Sequence, residues 1–247
     1  MNETDHLSAL IGEIYDAALD PALWSDVLGN VRRFIGGWEA ALSWKDAVAK
    51  RGDSYFQNGG QDPRYRQLYF EKYIKLDPFT TTQFVVELDE PKSFLDVMSY
   101  DDLVQTRLYK EWAQPQGIVD GLMCLIDRSA TSVGFLVVFR DARQGFVDDE
   151  TRRRARLVAP HIRRATLVGR VIDLKKAEAA SLTETLDGIG AGMFLVNAAG
   201  IIVHANTTGR AMLMNESLMR AESGRLVANN PDGTRRTNAS STTMRVE

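Results

Sequence analysis

The chain is 247 residues long, 44% hydrophobic and 26% charged, with a net charge of −3. That is long for one domain and short for two, with ample apolar mass for a buried core. No global positive field draws it to nucleic acid or anionic lipid, and its single cysteine, Cys124, excludes an intrachain disulfide and any CxxC metal or redox motif.

The N-terminus is acidic and amphipathic, with no basic segment ahead of an apolar run. No stretch approaches the roughly 20 apolar residues that span a bilayer. The expectation is a cytoplasmic protein without membrane contact. Leu7, Leu10, Ile11, Ile14 and Ala18 recur at the helical period and predict a first amphipathic helix. Asp20-Pro21 restarts helix, with Leu23, Val27, Val31 and Phe34 on one face and Gly36-Gly37 as the stop. Two short strands follow, over 39–44 and 54–57, separated by a polar 50–53.

Asp62-Pro63 opens a helix to about Lys75, which Asp77-Pro78 ends, because the residue before proline is pushed out of helical geometry. A further helix is expected over 101–112, closed by Pro115 and Gly117. The clearest strands, 122–126 and 133–139, suggest an antiparallel hairpin. Helices, two strands, helices, two strands and a long helix make an α+β pattern with one antiparallel sheet flanked by helices.

From Asp148 the chain reads as helix for about 40 residues, near 60 Å if unbroken. Pro160 is expected to kink it or split it in two. Beyond lies a heptad series of Ala165, Val168, Ile172, Lys175, Ala179, Leu182, Leu186 and Ile189, interrupted only by Lys175. A parallel dimer seam would use these residues; a helix packed on its own domain is the alternative. After Ile189 the period changes. A strand over 193–196, a turn at 197–200, a strand over 201–205 and a helix capped by Asn206 open a second module. The stretch 229–247 has too few apolar side chains to offset chain entropy and is expected to be disordered.

His6, His161 and His204 lie far apart without metal-ligand spacing, and no GxSxG elbow, phosphate-binding loop or EF-hand loop occurs. Gly188-Ile-Gly190-Ala-Gly192 precedes a strand, whereas a dinucleotide fingerprint follows one, so it reads as a turn. Haem ligation by His204 has no second feature behind it, and Cys124 reads as a small buried hydrophobe. The arginines of the long helix read as a solvated face, with phosphate contact as the rival; aromatics for base stacking are missing from that stretch. The expectation is a protein that is not an enzyme and holds no metal or cofactor.

Residues 55–112 form the aromatic-rich part of the chain. Tyr65, Tyr69, Tyr73, Asp77, Phe94 and Trp112 are the candidate ligand-binding residues there. Tyrosine offers an apolar body and a polar tip, suited to orienting a partly polar small molecule. A plain aromatic core is the equal alternative.

The segments LIGEIYDAALDPALWSDVLG, YRQLYFEKYIKLDPFTT, YKEWAQPQGIVDGL, DDETRRRARLVAPHIRRA and DGIGAGMFLVNAAGIIVHAN, in this order, carry a resemblance over the whole length. The chain resembles the N-terminal sensory part of bacterial LuxR-type helix-turn-helix transcriptional regulators. The resemblance implies a GAF-like, autoinducer-binding-like sensory domain over 1–147, a signalling helix over 148–187, a partial PAS-like α+β module over 188–228 and a tail over 229–247. It further implies an unidentified small-molecule ligand, a homodimer joined through the helix, and relay of the ligand state to a DNA-binding domain that this chain lacks. In that family a tyrosine ahead of Asp-Pro, the aspartate, and a later tryptophan line a pocket for acyl-homoserine lactones. The matching positions are Tyr69, Asp77 and Phe94. The Tyr69-to-Asp77 interval is one residue short, and Phe94 lacks the indole N–H that would donate to a lactone carbonyl, which argues for a different ligand. Two other functions stay open: an interaction module that pairs with full-length regulators, and an enzyme whose site is assembled from scattered acids and tyrosines.

Overall fold

The computed structural model describes residues 2–46, 48–79, 86–215 and 219–229, together with the backbone of 244–246. They fall into two units, Met1–Ile172 and Asp173–Glu247.

In the first unit, α1 (Glu3–Leu19) is capped by Asn2, whose side-chain oxygen accepts from the Asp5 N–H at 2.8 Å. Helix α2 (Trp24–Ile35) ends where Gly36 turns left-handed, φ 94°. There the N–H groups of Gly36 and Gly37 both close onto the Arg32 carbonyl. Strands β1 (Glu39–Asp46) and β2 (Arg51–Gly59) form a hairpin, followed by α3 (Pro63–Glu71), the short edge strand β3 (Pro91–Ser93) and α4 (Tyr100–Leu103). Strands β4 (Ile118–Arg128) and β5 (Ser132–Asp141) complete an antiparallel sheet in the order β2-β1-β5-β4-β3. Helix α5 (Asp149–Asp187) follows. This is the GAF-like α+β architecture expected from the sequence.

Because side chains alternate along a strand, the sheet has two distinct faces. On one, Ala40, Leu42, Leu122, Cys124, Leu136 and Val138 pack against Leu10 and Ile14 of α1, Leu28 and Val31 of α2, and Val158 and Ile162 of α5. All are fully buried. The packing is tight enough that a Cβ on Gly37 would meet the Val138 side chain at 2.1 Å. Burial pushes the Cys124 thiol far above its ordinary pKa. The other face is covered by the segment from α3 to β4 and holds the site described below.

Several elements differ from the sequence reading. Helix α5 runs through Pro160 without a break. Val158, Ala159 and Ile162 on either side of the proline are sealed into the core, so packing holds the helix where one backbone bond is missing. The unit boundary falls after Ile172 rather than at 147, since Thr151, Ala155, Val158, Ala159, Ile162 and Ala165 are all buried with the first unit. The helix expected over 101–112 is split. Thr106 donates through its hydroxyl to the Leu103 carbonyl and accepts from the Tyr109 N–H at 3.1 Å, ending one turn and starting the next.

The arginines of α5 mostly find carboxylates. Arg152 pairs with Asp96 at 2.6 Å, Arg156 with Glu90 and Arg163 with Asp89 at 2.8 Å each, and Arg153 with Glu3 and Glu150. Such partly exposed pairs contribute little stability individually, about 0–1 kcal/mol.

The second unit contains β6 (Gly192–Val196), β7 (Ile202–Ala205), α6 (Thr207–Asn215), a hairpin of β8 (Met219–Glu222) and β9 (Arg225–Ala228), and β10 (Met244–Val246) beside β6. Asn206, expected only as a helix cap, does more. Its oxygen accepts from the N–H groups of Gly209 and Met193 at 2.8 Å, and its amide donates to the carbonyls of Leu186 and Ala191 at 2.9 Å. A single buried side chain thus joins the end of α5, β6 and α6. The disordered tail expected over 229–247 falls outside the described residues except for Asn229 and β10, which pairs rather than standing free. No helix among the described residues is long and apolar enough to cross a membrane.

Candidate functional site

Residues 41, 43 and 45 of β1 point away from the helix-covered face, as do 135, 137 and 139 of β5 and 123 of β4, because these positions share register. They floor a cavity, open to solvent at its mouth, that lies beneath the covering segment. Phe70, Phe79, Phe94, Leu108, Tyr109 and Trp112 wall it, with Ser43, Lys45, Ser54, Gln61, Arg66, Tyr69 and Asp77 as its polar groups.

Local structure explains how these groups are placed. Asp62 caps α3 by accepting from the Arg64 N–H at 2.9 Å, with Pro63 at the first helical position. The helix carries Arg66, Tyr69 and Phe70, at i, i+3 and i+4, to one side. Asp77 then turns the chain, one carboxylate oxygen accepting from the Phe79 N–H at 2.8 Å. Its other oxygen takes both the Lys45 ammonium and the Tyr69 hydroxyl. Lys45 and Asp77 are almost completely buried. The ammonium also lies 5.0 Å from the Phe135 ring centre and 5.1 Å from that of Tyr69, so aromatic faces supply part of the solvation it has lost. Burial, reinforced by the Asp77 charge, pushes the Tyr69 phenol well above its ordinary pKa, and it stays a donor.

The aromatic wall is continuous. Phe79 and Phe94 stack at 4.5 Å, Trp112 lies 5.1 Å from Tyr69, and Phe139 lies 5.7 Å from Trp112. Gly121 lets Phe94 settle on the sheet, since a Cβ there would meet the ring at 2.5 Å. The Trp112 indole N–H donates to the Tyr65 carbonyl at 2.7 Å, so toward the cavity it presents an apolar surface. Tyr109 is pushed up to about 12 by burial and by its hydroxyl contact with Tyr100.

Of the residues singled out from sequence, Tyr69, Asp77, Phe94 and Trp112 line the cavity together. Tyr65 and Tyr73 do not. Tyr65 packs at the edge of the neighbouring aromatic cluster. The Tyr73 hydroxyl reaches away to Glu111 at 2.6 Å, beside Lys72 and Arg107. Those three donors, Arg107 foremost, hold the Glu111 carboxyl well below the usual range. Sequence reasoning missed Lys45, Arg66 and the β5 floor. The signal was present: Ala41, Ser43 and Lys45 alternate with the apolar Ala40, Leu42 and Trp44, but the predicted strand stopped one residue short of Lys45.

The α5 residues proposed for a dimer seam occupy different environments. Ala165 is a correction: it is fully buried in the first unit's own core, where its small side chain lets the helix approach, and is closed to a partner. Val168 is 44% exposed and Leu182 59% exposed; Ala179 is exposed, while Ile172, Leu186 and Ile189 are partly covered. Among the described residues no three of His, Cys, Asp and Glu gather as a metal set.

Sheet, covering segment and cavity define the class, an α+β domain of GAF-like fold. In particular, the chain is similar in structure to the LBD domain of VqsR from Pseudomonas aeruginosa, with a TM-score of 0.54 at 14% identity over 66% of this chain and 94% of that one. Similarity extends to CepR2, an N-acylhomoserine lactone dependent LuxR-family transcription factor from Burkholderia cenocepacia, with a TM-score of 0.49, 15% identity, and coverage of 64% and 91%. The phycoerythrobilin-bound GAF domain of a cyanobacterial phytochrome gives 0.44, 11%, and coverage of 69% and 97%. No family model matches the chain, and no curated protein matches it in sequence.

Proposed function

We propose that this chain is the sensory part of a LuxR-type transcriptional regulator, binding a small molecule in the first unit and relaying its presence along α5 to a DNA-binding domain. The single observation that carries this reading is the aromatic-walled cavity on one sheet face, whose mostly apolar lining with a few converging polar groups is that of a ligand pocket. The shared fold with the VqsR domain supports it. We propose sensing rather than catalysis. Asp77 is engaged by three donors and Ser43 bonds Ser54 at 2.8 Å, so these polar groups satisfy one another instead of presenting a paired base and nucleophile.

In this reading the chain works in the cytoplasm and pairs with a second copy through Val168, Ile172, Ala179, Leu182, Leu186 and Ile189. The exposed Val168 and Leu182 are the support for that pairing. The second unit is read as the start of a PAS domain. Ligand binding under α3 changes the packing of the sheet on which the first half of α5 rests, and the helix pair shifts between two registers.

A calorimetric titration with the neutral probe 4-phenylbutyramide tests the pocket. Saturable binding is expected, and it is lost in Ala41→Phe, which fills the cavity floor. Binding that persists in the filled variant overturns the reading, as does a failure of both this probe and its carboxylate counterpart, 4-phenylbutyrate, to saturate.

A further inference from the structure

We propose that the cavity selects a small organic anion, an apolar or aryl carboxylate, and that Arg66 is the residue that holds its charge. The proposal deepens the reading of the cavity as a ligand pocket and rests on it.

Two cations line the space, Lys45 and Arg66. Lys45 is already neutralised by Asp77, with both side chains at 5% exposure or less. Arg66 is different. It is partly buried on α3, and among the described residues it makes no ion pair and no hydrogen bond. The carboxyl that feels its charge, Glu39, forms no ion pair with it, lies outside the cavity lining, and also faces Arg32. Of the charged groups that line the cavity, Lys45 and Asp77 cancel each other and Arg66 is left without a direct partner, set against the apolar floor of Phe135, Val137 and Phe139.

A guanidinium carries five donors in a rigid fork that matches a carboxylate with two parallel bonds. A neutral occupant of the same shape would strip water from Arg66 and leave those donors without an anion, which is unfavourable. A carboxylate on an apolar body satisfies both parts of the wall at once. The same logic disfavours an uncharged lactone, and Asp77, held by Lys45, is not available as a free counter-charge for a cationic ligand.

The test is calorimetry on the full chain at neutral pH with two probes of equal shape, 4-phenylbutyrate and 4-phenylbutyramide. The acid is expected to bind about tenfold tighter or more, the scale of a hydrogen bond to a charged group. Arg66→Met is expected to abolish the preference, so that acid and amide bind alike. Arg66→Gln, which keeps the side chain polar, does the same, and Arg66→Lys keeps part of the preference. Equal affinity for the two probes in the unmodified chain overturns the proposal, as does a preference that survives both Arg66→Met and Arg66→Gln. If amide binding is still abolished by Ala41→Phe in those cases, the pocket stands and only its charge selectivity falls. No saturable binding of either probe overturns both.

Discussion

The two faces of the five-stranded sheet are made by the same strands and treated in opposite ways. Leu136 and Val138 of β5 point into a closed interior shared with α1, α2 and α5, while Phe135, Val137 and Phe139 between them floor a cavity. The helix-covered face is apolar at its centre and keeps its buried charges, Asp120 and Arg140, to one end, whereas the other face buries an ammonium, a carboxylate and a phenol in contact beside the cavity. A dry, fully packed face provides the stability, so the opposite face can stay incompletely filled and polar without unfolding the domain. Division of labour between stability and recognition is thus encoded at the two-residue period of a strand.

Substitutions on the two faces and on α5 break or sharpen this comparison, and the stability change of each is read by chemical denaturation. The largest loss is expected for Lys45→Met, which strands the Asp77 charge in the interior. Removing one partner of a buried pair costs about 3–5 kcal/mol, and Lys45→Met combined with Asp77→Asn restores most of it. A single mutant as stable as the parent would mean that Asp77 finds other compensation.

The intermediate case compares neighbours of one type. Val138→Ala deletes two methyl groups from the sealed face and is expected to cost about 2–3 kcal/mol, from roughly 0.8 kcal/mol per methylene plus a cavity term. Val137→Ala deletes the same atoms beside existing space and is expected to cost about 1 kcal/mol. Equal losses would erase the distinction between the faces.

The smallest effect on folding belongs to Leu182→Asp on the exposed part of α5, within about 0.5 kcal/mol. Sedimentation should nonetheless move from dimer to monomer at micromolar concentration. An unmodified chain that sediments as a monomer would remove the proposed pairing.

Much of the architecture was legible because short-range rules write it directly. The 3.6-residue recurrence of Leu10, Ile14, Val27 and Val31 predicted α1 and α2, and Gly36 marked the αL stop. The hairpin of β4 and β5 followed from two apolar runs around a polar loop. What stayed hidden depends on partners distant in sequence. The edge strand β3 is three residues long and exists because β4 pairs with it. The break at Thr106 comes from a hydroxyl competing with backbone, which periodicity does not register. In the candidate site, Tyr69, Asp77, Phe94 and Trp112 shared an aromatic segment and were found together. Lys45, 32 residues before Asp77, joined them only through the packing of β1 against the turn after α3. Tyr65 and Tyr73 show the converse: proximity along the chain placed them near the cavity without turning them into it.

Cys124 gives the molecule an internal clock. The sulfur sits at 0% exposure in the middle of β4 with no second thiol anywhere in the chain. An alkylating reagent can therefore reach it only in the moments when that strand parts from the helices above. The pace of modification in native buffer records how often this happens. The opening frequency of the sealed face is thereby readable with no label introduced and no residue changed.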